Sequence, residues 1–243
     1  MADRVVPYDV FYVPWSLGDR EAMAQYAATW LREQPGAPLV LFPNKSSSGA
    51  DRTLTRLTTG AAVAWPRNLG RASSWSTGPV LAPWPTGDVL ELLSEELRSK
   101  VTALCVLEWG DSDQDCINWL AGHHARSVVD GQVHPRSEVR LDPVVEVAMS
   151  WLEQSVNHGN SLAGVLDRRD AIETLQVLHK AGYRYDVDDL CIWSYANGFN
   201  FSEVERLREF AEGVAQGKRF QLKAGRALRS DIVEVWRAEA EGR

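Results

Sequence analysis

At 243 residues, the chain has room for one large domain or two modest ones. Hydrophobic residues at 44% and charged residues at 24% are a globular balance, which excludes a largely disordered chain. The net charge of −7 is shared by both halves, so the bulk charge offers no general attraction to nucleic acid or anionic membrane.

Apolar runs alternate with amphipathic stretches through the first half. Val10 to Val13 predicts a strand, and Asp19 to Gln34 a helix with Met23, Tyr26, Ala27, Trp30 and Leu31 on one face. Pro35-Gly36 ends that helix, and Pro38 to Phe42 is the second strand. Asn44 to Gly49 reads as a polar loop, Ala50 to Thr58 as a short helix. Ala61 to Trp65 and Val80 to Trp84 are strands on either side of a Gly/Ser/Arg loop, residues 67–78. A helix over Asp88 to Ser99 precedes the clearest strand, Val101 to Leu107, and a helix over Asp113 to His123 precedes a short strand, Ser127 to Val129. Alternation without hairpin signals predicts an α/β domain with a mostly parallel sheet flanked by helices, a Rossmann-like three-layer arrangement.

Residues 130–142 are polar and marked by proline, which places a boundary there, with a sheet domain over 1–133 and an all-helical unit over 134–243. In the second part, helices are expected over Pro143 to Val156, Asp167 to Ala181, Val187 to Asn197 and Glu203 to Gln216, with Gly182, Gly198 and Gly217 as stops. Ser202 and Glu205 have capping-box spacing at the head of the fourth. A last helix is expected over Arg219 to Glu241, with Phe220, Ala224, Ala227, Leu228, Val235 and Trp236 on its apolar face.

Ten tryptophans suit cores, interfaces and ligand walls, because each combines a large apolar ring with one N–H that seeks a partner. Cys105, Cys116 and Cys191 are odd in number and lack CxxC spacing, which predicts reduced, buried thiols and not a disulfide or zinc framework. The N-terminal sequence lacks the pattern of a signal peptide, and no apolar run approaches the ~20 residues that cross a bilayer. The expectation is a cytoplasmic protein with no membrane partner. An excess of arginine over lysine suggests a GC-rich bacterial genome, an association and not a physical argument.

Three predicted strands run through a Trp into a Gly-Asp step: Trp15 to Asp19, Trp84 to Asp88, and Trp109 to Asp111. Glycine permits the turn and aspartate caps the next helix. Lys45 and Ser46 to Ser48 look like the tail of a phosphate loop, but the glycines that would wrap a phosphate are missing ahead of the lysine. Glu108, Asp111 and Asp113 follow the clearest strand, where a hard cation such as Mg²⁺ could be held; helix capping explains the same residues more simply. Nucleophile elbows and HExxH are absent, and His158 in its polar loop reads as loop punctuation. The helix pair around Gly198 has a helix-turn-helix outline, but four glutamates on its second helix would repel phosphate. Lys218, Arg219, Lys223, Arg226 and Arg229 form the one basic segment that could meet nucleic acid; a solvated helix face is the simpler reading.

Two functions remain open at this stage. The slightly favoured one is a non-catalytic scaffold whose helical half binds a protein partner or a second copy. The other is a nucleotide- or phosphate-binding enzyme. Its ligand would lie at the carboxyl ends of the strands against Trp15, Asp19, Lys45, Ser46, Ser47, Ser48, Trp84, Asp88 and Trp109.

Overall fold

The computed structural model describes residues 6–69, 75–110, 113–222, 225 and 227–242. The chain divides into two compact units, Met1–Ser137 and Glu138–Arg243. His134, which its polar surroundings had placed at the start of the helical part, therefore belongs with the sheet.

Among the described residues the first unit holds a six-stranded sheet: β1 (Asp9–Val13), β2 (Leu39–Leu41), β3 (Ala62–Ala64), β4 (Gly78–Pro83), β5 (Val101–Leu107) and β6 (Arg126–Ser127). All pairings are parallel, in the order β3-β2-β4-β5-β1-β6. The central strands are buried on both faces, as their near-continuous apolar runs require. The helices are α1 (Arg20–Glu33), α2 (Lys45–Ala50), α3 (Arg52–Leu57), α4 (Gly87–Ser94) and α5 (Gln114–Gly122). α1 packs with α3 and α4 with α5, which gives one helical layer on each face. The α1 side encloses Val13, Val40, Phe42, Leu81, Cys105 and Leu107 of the sheet with Met23, Ala27 and Trp30 of the helix.

Several elements differ from expectation. Tyr26 is exposed, because the buried face of α1 centres on Ala27 and Tyr26 lies about 100° from it in helical phase. The Asn44–Gly49 stretch is not a loop: Asn44 Oδ1 accepts from Ser47 N at 2.9 Å and from the hydroxyls of Ser46 and Ser47, which nucleates α2. α4 ends at Ser94, five residues early, and the chain reaches β5 through a turn closed by Leu97 N on Leu92 O.

In the second unit, α6 (Pro143–Ser155), α7 (Val165–Lys180), α8 (Val187–Ala196), α9 (Phe201–Ala215) and α10 (Ile232–Glu241) pack together. The capping box of α9 is Asn200 with Glu203, two residues ahead of the expected Ser202–Glu205. Asparagine caps as well as serine, and this register buries Phe201, Val204 and Leu207. The long last helix is not continuous and begins only at Ile232. Ahead of it, Glu173 of α7 accepts from the backbone N–H groups of Ala227 and Leu228, and Phe220 turns back edge-on against Phe210. Those tertiary contacts hold the segment off a helical path. No described helix is long and apolar enough to cross a membrane.

His123, at the end of α5, carries a pH dependence. Its ring stacks on Trp119 at 4.1 Å, and Nδ1 donates to the Trp119 carbonyl at 2.8 Å. Burial, the dominant influence, lowers its pKa from the usual 6.5 to about 4 against the upward pull of that hydrogen bond, and His124 lowers it further. The folded state therefore holds the neutral ring. Its full contribution is present above pH 6.5 and is lost as the pH falls toward about 4, where the unfolded chain binds a proton that the folded one refuses. The loss should approach about 3 kcal/mol. Urea unfolding at neutral and mildly acid pH, with wild type against His123→Asn, reads it as a flatter acid limb in the variant. Equal acid limbs would remove His123 from the explanation.

Candidate functional site

The strand order creates two crevices at the carboxyl ends of the sheet. The chain leaves β1 and β2 toward the β3 edge, and leaves β4 and β5 toward the β6 edge. Where neighbours depart in opposite senses, between β2 and β4 and between β5 and β1, their connections run over opposite faces and leave a gap.

The β2/β4 gap is a cavity of about 590 Å³. Its walls come from the start of α1 (Asp19, Arg20), the α2–α3 segment (Ser47, Asp51, Arg52) and the two strand-end tryptophans, Trp84 and Trp109. Trp84 follows β4, where its N–H donates to Leu107 O at 3.0 Å and its carbonyl accepts from Trp109 Nε1 at 2.9 Å. The two rings lie 6.3 Å apart at 57°, and the Arg20 guanidinium sits 5.1 Å from the Trp84 ring centroid. Trp84 has a left-handed backbone, φ 46°, and its buried indole nitrogen meets no acceptor among the described residues. Each of those features costs on the order of 1–3 kcal/mol, so the surroundings must impose them. Trp109 is 44% exposed although its nitrogen is tied down.

The β5/β1 gap is a second cavity of about 500 Å³, and Glu108 is its organising residue. Glu108 Oε2 accepts from the Trp15 backbone N–H at 2.9 Å, and Oε1 lies 3.3 Å from His134 Nε2. Arg136 N donates to His134 Nδ1 at 3.4 Å, so the imidazole proton resides on Nε2 and points at the carboxylate. The ring of Tyr12 lies 5.1 Å from that of His134. Burial first, then the negative charges of Glu108 and Asp130, push the Tyr12 hydroxyl up to about 12. Gly110, at φ 103°, lets the chain pass beneath Trp15: a Cβ there would stand 2.9 Å from the indole ring.

The structure thus sorts the residues singled out in the sequence. Asp19, Ser47, Trp84 and Trp109 come together in the first cavity. Trp15 and Glu108 line the second. Lys45, Ser46 and Ser48 stand outside both linings: Ser46 bonds Asn44, and Ser48 bonds the Lys45 carbonyl. Asp88 is exposed in the first turn of α4, also outside both. Asp113 caps α5, accepting from Cys116 N at 3.3 Å, and burial holds its carboxyl above the usual carboxylate range. Asp111 lies outside the described residues. Among the described residues, no three or more His, Cys, Asp or Glu side chains are placed to hold a metal ion. All three cysteines are free and buried.

Of the basic segment, Lys223 and Arg226 lie outside the described residues, Arg229 pairs with Asp231, and Lys218 lies 3.4 Å from Glu209. Arg219 is exposed. Arg20, Arg52 and His134 are the site residues that sequence reasoning missed. The Asp caps before Arg20 and Arg52 were visible signals of helix starts, whereas nothing local marks His134 as the partner of a residue 26 positions earlier.

Residues 141–237 match the family model described as a domain of unknown function, DUF1889. No curated protein and no solved structure matches the chain. The family likeness spans α6 to most of α10, so it describes the helical unit and leaves the sheet unit, with both crevices, to be read from its own chemistry.

Proposed function

We propose that the sheet unit is a small-molecule-binding domain whose ligand occupies the β2/β4 crevice. The observation that carries the reading is the coincidence of three features at one place: a topological switch in the strand order, a cavity of about 590 Å³, and two tryptophan walls fixed by a hydrogen bond between them. Small-molecule sites have this size, and aromatic walls supply most of their contact area.

Thermal shift of the full chain against nucleotides, sugar phosphates, amino acids and aromatic acids and amines tests it. A ligand at 100 times its dissociation constant should add about 2.7 kcal/mol of stability. Trp109→Ala should abolish the shift and leave the unliganded melting temperature close to that of the wild type, because the ring is half exposed. Silence across the whole panel would favour the scaffold.

A further inference from the structure

We infer that the ligand of the β2/β4 crevice is an anion joined to a flat ring, of the nucleoside monophosphate class. The inference rests on that crevice being a binding site. It comes from which charges there are already committed. Asp19 and Asp51 each spend one carboxylate oxygen on a backbone N–H, those of Glu21 and Leu54. Arg20 and Arg52 reach the same walls from the heads of α1 and α3, and neither forms a hydrogen bond or ion pair with any described residue. Elsewhere in the chain, Arg208, Arg169 and Arg229 each hold a carboxylate. Two uncommitted guanidiniums beside one cavity are the standard means of gripping a phosphate or carboxylate by two parallel hydrogen bonds.

The lining carries three carboxylates, Asp19, Glu21 and Asp51, against those two cations. Anion capture must therefore work by direct contact at the guanidinium forks, not by a positive field. The ring is called for by the tryptophans. Arg20 lies over the face of Trp84, so an acid group held by Arg20 stands next to an aromatic surface. Trp109 offers a second, solvent-facing ring whose position is already fixed. A flat ring that stacks there loses little freedom beyond its own. The unused oxygen of Asp51 suits a sugar hydroxyl. Trp84, with its left-handed backbone and unanswered indole N–H, is a polar group nine-tenths buried in the wall of this cavity. An oxygen of the ligand is the acceptor it lacks.

Isothermal titration calorimetry of the full chain at low salt, with AMP, GMP and UMP against adenosine and inorganic phosphate, decides the matter. At least one monophosphate should bind, and loss of its phosphate should weaken binding tenfold or more, the scale of a charge-assisted hydrogen bond. Arg52→Ala and Arg20→Ala should each weaken the monophosphate by about the same factor, with adenosine unaffected. Trp84→Phe keeps an aromatic face while removing the N–H and part of the ring, and should weaken the monophosphate less than either arginine variant. Adenosine binding as tightly as AMP, inorganic phosphate binding as tightly as AMP, or indifference to both arginine variants would overturn the inference. So would a site that takes only neutral or cationic aromatics such as tryptamine. In each of these cases, binding abolished by Trp109→Ala would leave the crevice a binding site with a different ligand, whereas no binding of any probe would remove both.

Discussion

Replacing His158 with alanine is expected to destabilise the helical unit by about 3–5 kcal/mol. The ring sits between two acceptors. Nδ1 lies 2.8 Å from Glu203 Oε2, and Nε2 lies 3.0 Å from the Glu153 carbonyl, with Glu153 Oε1 at 3.6 Å. The Glu153 carbonyl can only accept, so Nε2 donates to it, and Nδ1 shares a hydrogen bond with the Glu203 carboxyl group. Its partner, Glu203, is fully buried and also caps α9 by accepting from Asn200 N at 2.8 Å. Truncating His158 would leave the buried carboxyl group of Glu203 without its ring partner and open space beside Phe199, whose ring meets the imidazole edge-on. Urea unfolding measures the loss. Hydrogen exchange of α7 and α9 amides locates it: exchange should accelerate there and remain unchanged in β4 and β5. Glu203→Gln keeps the capping geometry while removing the charge, and should cost less than His158→Ala. A loss under about 1 kcal/mol in His158→Ala, the range of an exposed pair, would show that this pair does not fasten the unit.

The second large effect is expected at Gly110. Gly110→Ala should cost about 2–4 kcal/mol, since the new methyl group meets two penalties at once. The backbone φ of 103° is strained for any L side chain, and the Cβ would stand 2.9 Å from the Trp15 ring. Gly131 separates the two penalties. It has φ 74° and open space around its Cβ position, so Gly131→Ala should incur the backbone cost alone, about 1–2 kcal/mol. Equal losses in the two variants would mean that Trp15 yields without cost. Because Trp15 N–H is held by Glu108 and the neighbouring Trp109 is tied to Trp84, a displaced Gly110 should also weaken any ligand of the β2/β4 crevice. Three consecutive residues of one loop serve both cavities.

His158 also illustrates what a sequence conceals. It stands in a short polar loop and reads as punctuation; its role depends on Glu203, 45 residues later. By contrast, the capping aspartates ahead of α6 and α8, and the glycines that close α7 and α8, lie within a few residues of the ends they define. Those ends were legible to within a residue or two. Errors arose where two local signals competed, as with Asn200 and Ser202, or where a distant side chain such as Glu173 captured backbone that had a helical pattern of its own.

The candidate site divides in the same way. Trp84 and Trp109 were recognisable as strand-end residues, but the three similar Trp-to-Gly-Asp strand ends do not share one pocket. Trp15 belongs to the β5/β1 crevice, the other two to β2/β4. The difference follows from strand order, which puts β4 and β5 between β1 and β2.

By itself, then, the sequence determined the α/β unit followed by helices, the positions of the strands, and several of the helix ends. These are set by periodicity and by hydrogen bonds that span a few residues. Only the tertiary structure decided which loops meet, because parallel pairing joins strands far apart in the chain and is dictated by the packing of the whole sheet. The Trp84–Trp109 wall, the placing of Arg20 and Arg52 beside it, and the Glu108–His134 pair exist only after that pairing is made.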